Sequence, residues 1–175
     1  MNIGITGHTS GIGKAIAEWF SERGHTIVGF SRSTTGDDLS QAGTAHHIAL
    51  CSDNIDVFIN NAFFRIAQVD LLYHLYDRWK TEPSKTILTI SSNTGDITKN
   101  YKHPYAVFKI ALDEAVAQLQ NTNPACRIMN LRPGYVDTPM VTHVSAKKLD
   151  PNYVAGVVGW MIEQPALIKS LTLVP

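Results

Sequence analysis

The sequence predicts a three-layer α/β fold, an open and mostly parallel sheet of about six to seven strands with trimmed helices on both faces. Three observations carry that expectation. Short apolar runs alternate with amphipathic stretches from one end of the chain to the other. The apolar run at residues 1–5 enters a glycine-rich turn, Thr6-Gly7-His8-Thr9-Ser10-Gly11-Ile12-Gly13, that opens into a helical pattern. A second apolar run at 27–30 then completes a strand, helix, strand unit, and right-handed crossover sets its two strands side by side.

Each element has its own signature. Ile12, Ile16, Trp19 and Phe20 recur at helical spacing and stop at Gly24, a residue suited to ending a helix. Residues 33–45 are rich in Thr, Gly, Asp and Ser and read as loop with at most one helical turn. Residues 45–50 are a third strand candidate, and 56–60 form a fourth strand running into Asn60-Asn61-Ala62. Val69, Leu72, Tyr73, Tyr76 and Trp79 mark a helix over 69–79, and Thr86–Ile90 is a fifth strand closing on Ser91-Ser92. A helix is expected over 105–119, then a sixth strand over 127–131, broken by Pro133-Gly134. Asp150 followed by Pro151 pairs a capping side chain with a first-turn proline and starts a helix running to about Glu163. Residues 171–174 are the last strand. In such sheets ligands bind beyond the carboxyl ends of the strands. The glycine turn, Arg32, Asn60 to Ala62, Ser92 and the residues after Pro133 are therefore expected on one edge.

Composition narrows the partners. A chain of 175 residues with 44% hydrophobic content supports one well-buried core, so a single domain over residues 1–175 is expected. Fifteen basic and fifteen acidic side chains leave no pull toward nucleic acid or an anionic membrane. There is no signal-peptide pattern and no run of eighteen apolar residues, so the expected compartment is the cytoplasm. Cys51 and Cys126 suggest neither a disulfide framework nor a zinc site. His46-His47 are expected on opposite faces of a strand, which argues against a metal.

The glycine turn is suited to a phosphate, because glycines let backbone N–H groups approach a ligand and a helix N-terminus favours negative charge. Its G-x-x-x-G-x-G spacing differs from G-x-G-x-x-G, and Ala15 after Lys14 excludes a P-loop. Downstream, Tyr105 and Lys109 are four apart on one helix face, and Ser92 ends the strand thirteen residues before the tyrosine. Tyrosine has a pKa near 10, and lowering it costs about 1.4 kcal/mol per unit. An adjacent ammonium does this by favouring phenolate, and a serine hydroxyl can hold a substrate oxygen within reach.

With these motifs in this order the chain resembles the short-chain dehydrogenase/reductase family nearly end to end. The family's T-G-x-x-x-G-I-G is matched from Thr6 to Gly13, its N-N-A-G by Asn60-Asn61-Ala62, its serine by Ser92, and its Y-x-x-x-K by Tyr105 and Lys109. Its P-G with a following threonine is matched by Pro133-Gly134 and Thr138. The resemblance implies a Rossmann-type fold and hydride transfer between a nicotinamide and a carbonyl or alcohol substrate. Tyr105 would be the general acid or base, Lys109 its pKa-lowering partner and a ribose ligand, and Ser92 the residue orienting the carbonyl. Cofactor binding would fall to Gly7, Thr9, Ser10, Gly11, Ile12 and Gly13, to Asn61 and Ala62 on the ribose side, and to Pro133, Gly134, Val136 and Thr138 at the carboxamide. Arg32 and Ser33 end the second strand where a carboxylate would select NAD, so NADP(H) is expected over NAD(H). The resemblance also implies a homodimer or homotetramer, consistent with the apolar surplus on the 69–79 and 105–119 helices.

The chain departs from the family in length. Residues 33–55 are too few for the usual two helices and a strand, and the stretch from Ala62 to Thr86 holds one helix. No asparagine lies between Asn61 and Asn93 to serve as the family's relay residue, leaving Gln68 or Asp70 as substitutes. Phe63 occupies the place of the glycine after N-N-A, and the usual glycine-rich tail is missing. The departures keep open an alternative, a degenerate NADP(H)-binding sensor or scaffold. Asp53 is a candidate adenine contact, His8 a phosphate-facing or solvent-exposed loop residue, and Lys147-Lys148 a solvated face. Phe63, Phe64 and Tyr135 are pocket candidates, and residues 136–149 the substrate-covering loop.

Overall fold

The computed structural model describes residues 1–175 and contains one six-stranded sheet, every strand parallel to its neighbours. Chain order is β1 (Asn2–Thr6), α1 (Gly11–Ser21), β2 (Thr26–Phe30), α2 (Thr44–Leu50), β3 (Val57–Asn60), α3 (Ala67–Trp79), β4 (Thr86–Ile90), α4 (Pro104–Asn121), β5 (Arg127–Pro133), α5 (Pro151–Glu163) and β6 (Ser170–Leu173). Short 3₁₀ turns at Asn93–Asp96 and Pro139–Val141 follow β4 and β5. The sheet order β2-β1-β3-β4-β5-β6 reverses direction at β1, and that reversal point is where open α/β sheets form a ligand crevice.

Period-two alternation divides the core into two layers. Ile3, Ile5, Val57, Ile59, Leu88, Ile90, Met129 and Leu131 pack under α1 and α5, while Phe58, Ile87 and Ile128 pack under α2, α3 and α4. Gly4 sits opposite Ile3 and Ile5, and a Cβ there would lie 2.8 Å from both the Ile55 Cδ1 and the Phe58 ring. Overpacking of that kind costs about 1–3 kcal/mol. Across the sheet, Gly159 of α5 lets the Trp19 indole of α1 close onto the helix backbone, since a Cβ would come within 2.1 Å of the ring. The Asp150 carboxylate caps α5 by accepting the Asn152 N–H at 2.7 Å.

Residues 45–50 correct the expected third strand. They form the helix α2, entered through Gly43 in the left-handed region at φ 85°. Ala45, Ile48 and Ala49 fall at i, i+3 and i+4 and pack into the cluster of Leu71, Leu72 and Leu75 on α3. His46 and His47 are thus neighbours on a helix, with the His46 ring edge-on to His74 at 4.9 Å and His47 Nε2 at 4.0 Å from Asp37. No three His, Cys, Asp or Glu side chains cluster closely enough to hold a metal ion. No helix is long and apolar enough to cross a membrane.

Candidate active site

Because all strands are parallel, their carboxyl ends share one edge, and a cleft of about 1190 Å³ opens along it. Drug-sized ligands occupy about 300–1000 Å³, so the cleft has room for a dinucleotide with a small second ligand. One wall is the glycine turn. Gly7 and Gly11 have φ of 72° and 54°, in the left-handed region that side chains rarely adopt. Gly13 lies beneath the turn and is the one expected cofactor residue that does not line the cleft. Its role is clearance, because a Cβ would sit 2.3 Å from the Gly7 carbonyl oxygen and 2.6 Å from Asn61 Nδ2. Ser10 makes no side-chain cap to α1, whose first turn carries no acidic residue, so the helix presents uncapped N–H groups at this wall. An anion fits there.

Thr6 joins two of the sequence motifs. Its Oγ1 accepts the N–H groups of Asn61 and Ala62 at 2.9 and 3.0 Å, and Asn61 Nδ2 donates back to the Thr6 carbonyl at 2.9 Å. Asn61, Ala62 and the glycine turn are thereby one unit. At the far end of this wall Arg32 and Ser33 line the cleft with Thr9. Asp37 and Asp38 line it as well, which the sequence reading missed by stopping at the strand end. The Asp38 carboxyl is held below its ordinary pKa, chiefly by the Ser40 backbone N–H and side chain and more weakly by Arg32. His8 is outside the cleft, laid against Gly29 with ring atoms 2.3–2.4 Å from where a Cβ would stand. Asp53 precedes β3 on the opposite edge and pairs with Arg78, so it corrects the adenine expectation.

Ser92, Tyr105 and Lys109 line the same cleft. Ser92 begins the 3₁₀ turn, its Oγ accepting the Thr94 N–H at 3.2 Å. Pro104 starts α4, which presents Tyr105 and, one turn on, Lys109. Lys109 is 3% exposed, and its Nζ donates to Gln68 Oε1 at 2.7 Å and to the Ile90 carbonyl at 2.8 Å. Gln68 is fixed in turn by donating to the Asn60 carbonyl at 2.9 Å, while Asn60 Nδ2 donates to the Gln68 carbonyl at 2.7 Å. Of the two substitutes for the missing asparagine, Gln68 is therefore the one at the lysine; Asp70 is exposed.

The electrostatics run opposite to the direction that the Tyr-Lys spacing suggests. Burial pushes the Lys109 amine down to about 7, with Asp113 one turn along α4 only partly opposing it. Burial pushes the Tyr105 phenol up, the Ser92 hydroxyl acting the other way. The Phe63 ring stands beside both groups, meeting Tyr105 edge-on at 4.8 Å and lying 5.4 Å from Lys109 Nζ.

Pro133, Gly134, Val136 and Thr138 form the second wall. The loop 136–149 is pinned at its base by Asp137 N–H to the Leu149 carbonyl at 2.9 Å and Leu149 N–H to the Tyr135 carbonyl at 2.8 Å. Phe63, Phe64 and Tyr135 also line the cleft. Lys147 does too and is exposed, as a solvated face would be, whereas Lys148 corrects that reading by being half-buried and pairing with Asp137 at 3.5 Å. Lys99, Tyr101 and His103 were not singled out from the sequence, since the segment before α4 carries no motif.

Fold and cleft together define a Rossmann-type α/β protein. Residues 3–99 match the family model described as the NAD dependent epimerase/dehydratase family. A very-long-chain 3-oxoacyl-CoA reductase of Mus musculus is 34% identical over 137 residues, 76% of this chain and 40% of that protein. Two solved structures share the fold. An alcohol dehydrogenase of Thermococcus sibiricus complexed with 5-hydroxy-NADP has a TM-score of 0.82 at 23% identity, covering 99% of this chain and 96% of the other. A 3-ketoacyl-(acyl-carrier-protein) reductase of Brucella melitensis complexed with NADH has a TM-score of 0.79 at 18% identity, covering 98% and 95%. The chain belongs to the short-chain dehydrogenase/reductase family.

Proposed function

We propose that this chain is an NADP(H)-dependent oxidoreductase of a small carbonyl or alcohol substrate, with Tyr105 as its general acid or base. The observation that carries the reading is that Ser92, Tyr105 and Lys109 share one cleft with the glycine turn and Arg32. The cofactor, when bound, supplies the hydride. Gly7, Thr9 to Ile12, Asn61 and Ala62 would hold its phosphates and ribose, Gly13 clearing space beneath them. Pro133, Gly134, Val136 and Thr138 would hold the nicotinamide end. In reduction the Ser92 hydroxyl orients the carbonyl oxygen and the Tyr105 phenol donates the proton to it. Lys109, steadied by Gln68, holds the ribose and stabilises the resulting phenolate. Reducing a panel of aldehydes and ketones with NADPH tests the reading, and no turnover across the panel contradicts it.

NADP(H) preference rests on Arg32, a guanidinium lining the cleft just after β2 that makes no salt bridge, although its charge reaches the Asp38 carboxylate. NADPH is expected to bind at least about tenfold more tightly than NADH, and Arg32→Ala to remove that difference while leaving NADH affinity within about twofold. Fluorescence titration reads both constants, and equal affinities in the unaltered protein overturn the assignment.

A second reading, an NADP(H) sensor or scaffold with little turnover, is favoured by a specific observation. Lys109, 3% exposed, already donates to Gln68 Oε1 and the Ile90 carbonyl, and burial disfavours its ammonium. Retention of all three side chains weighs more heavily for the enzyme. Self-association through α4 is supported by Val107 and Ile110, 63% and 49% exposed. Light scattering is expected to report a dimer or tetramer; a species of 19.3 kDa contradicts it.

A further inference from the structure

From the charge pattern at the reactive end of the cleft we infer that the substrate carries an anionic group, a carboxylate or a phosphate, on an apolar body, and that Lys99 and Lys147 receive it. The inference rests on the reductase reading above. Two segments flank Ser92 and Tyr105 there, residues 97–103 and the loop 136–149. The first contributes Lys99 and His103 to the lining and the second His143 and Lys147, with no carboxylate from either.

The carboxylates that might neutralise these cations are committed elsewhere. Asp96 pairs with Arg132, and Asp137 pairs with Lys148. Asp37 and Asp38 belong to the segment after β2, on the Arg32 side. Neither Lys99 nor Lys147 makes a salt bridge. The same two segments also present Ile97, Tyr101 and Met140, 68%, 62% and 63% exposed, alongside Val141. Large apolar side chains left in water beside unpaired ammonium groups fit a ligand with an apolar stem and an anionic end. A neutral ligand would cover the apolar wall and leave both cations without a partner. Charge complementarity of this kind selects among ligands more than it adds raw affinity.

The test compares matched pairs of ligand, levulinate against methyl levulinate and glyceraldehyde phosphate against glyceraldehyde. Calorimetry is run on protein loaded with NADP⁺, which cannot reduce them, and on protein without cofactor. In at least one pair the anion is expected to bind at least about fivefold more tightly than its neutral partner. That advantage should shrink as salt is raised. The pair that shows it distinguishes carboxylate from phosphate. In the double variant Lys99→Gln, Lys147→Gln the two members of the pair should bind alike, with NADP⁺ affinity unchanged. No advantage in either pair overturns the inference, as does an advantage that survives in the variant. Weakened NADP⁺ binding in the variant also overturns it, by assigning the lysines to the cofactor. Anion-selective binding without reduction of any of the four compounds by NADPH removes the reductase reading and leaves the anion site standing.

Discussion

Tyr105→Phe is expected to lower NADPH-linked carbonyl reduction by about 10²–10⁴-fold while NADPH binds within about threefold of the unaltered protein. The substitution removes one hydroxyl. The ring stays, so its edge-on contact with Phe63 at 4.8 Å stays as well, and the cleft wall keeps its shape. Ser92, still capping Thr94 N–H, keeps its place. What is lost is the only proton donor of the proposed mechanism that faces the orienting serine. Steady-state rates and a fluorescence titration of NADPH measure the two halves separately. Activity that survives the substitution removes Tyr105 from the chemistry, and binding that disappears with it makes the residue structural.

Lys109→Met is expected to have the second largest effect, and it reads on stability as well as turnover. Burial pushes the native amine down to about 7, against an ordinary lysine value of 10.5. Between those values the unfolded chain binds more protons, so stability rises with pH through that window and the contribution is absent below it. Relative to the methionine variant, the unaltered protein should gain on the order of 2 kcal/mol between about pH 7 and pH 9. At pH 7 itself two effects oppose each other. Relief from burying a cation stabilises the variant, while Gln68 Oε1 and the Ile90 carbonyl each lose a donor, at about 1–3 kcal/mol per group. The slope against pH is therefore the discriminating readout, measured by urea unfolding at several pH values. Parallel stability curves for the two proteins would show that the amine keeps its ordinary pKa. Turnover should fall at least about a hundredfold in the variant, since Lys109 holds both the ribose and the phenolate in the proposed mechanism.

Much of the architecture was legible in the sequence because its signals are local. The glycine turn, the short apolar runs of β1, β3, β4 and β5, and the Asp150-Pro151 helix start each depend on neighbours a few residues away. Residues 45–50 were misread because six residues of mixed apolar and histidine character satisfy either period. What decides for helix is the face of α3 that Ile48 and Ala49 meet, a partner more than twenty positions away. Gly13, expected among the cofactor residues, lies beneath the cleft wall for a related reason. A glycine can serve a ligand or serve packing, and only the 2.3 Å approach to the Gly7 carbonyl distinguishes them.

The chemistry was less legible than the positions. Spacing alone put Tyr105 and Lys109 on one face, but the direction of their pKa shifts depends on what covers that face. Phe63 stands out in the sequence as a departure from glycine, yet its place against both Tyr105 and Lys109 needs the ring geometry. Gln68 was one of two substitutes for the missing asparagine, and the choice follows from burial: at 2% exposure it can reach the lysine, and an exposed Asp70 cannot. Lys99 and Lys147 carried no signal, because a lysine outside a motif reads as surface until the cleft is drawn around it.

Hydride delivery from this cleft is tested most directly by isotope transfer. NADPH deuterated at its transferable position is incubated with the protein and the carbonyl panel, and the products are analysed by mass spectrometry. One deuterium on the carbinol carbon of at least one product, absent when Tyr105→Phe replaces the unaltered protein, is the expected result. NADPH that binds while no product carries label would contradict the oxidoreductase reading and leave a cofactor-binding sensor or scaffold in its place.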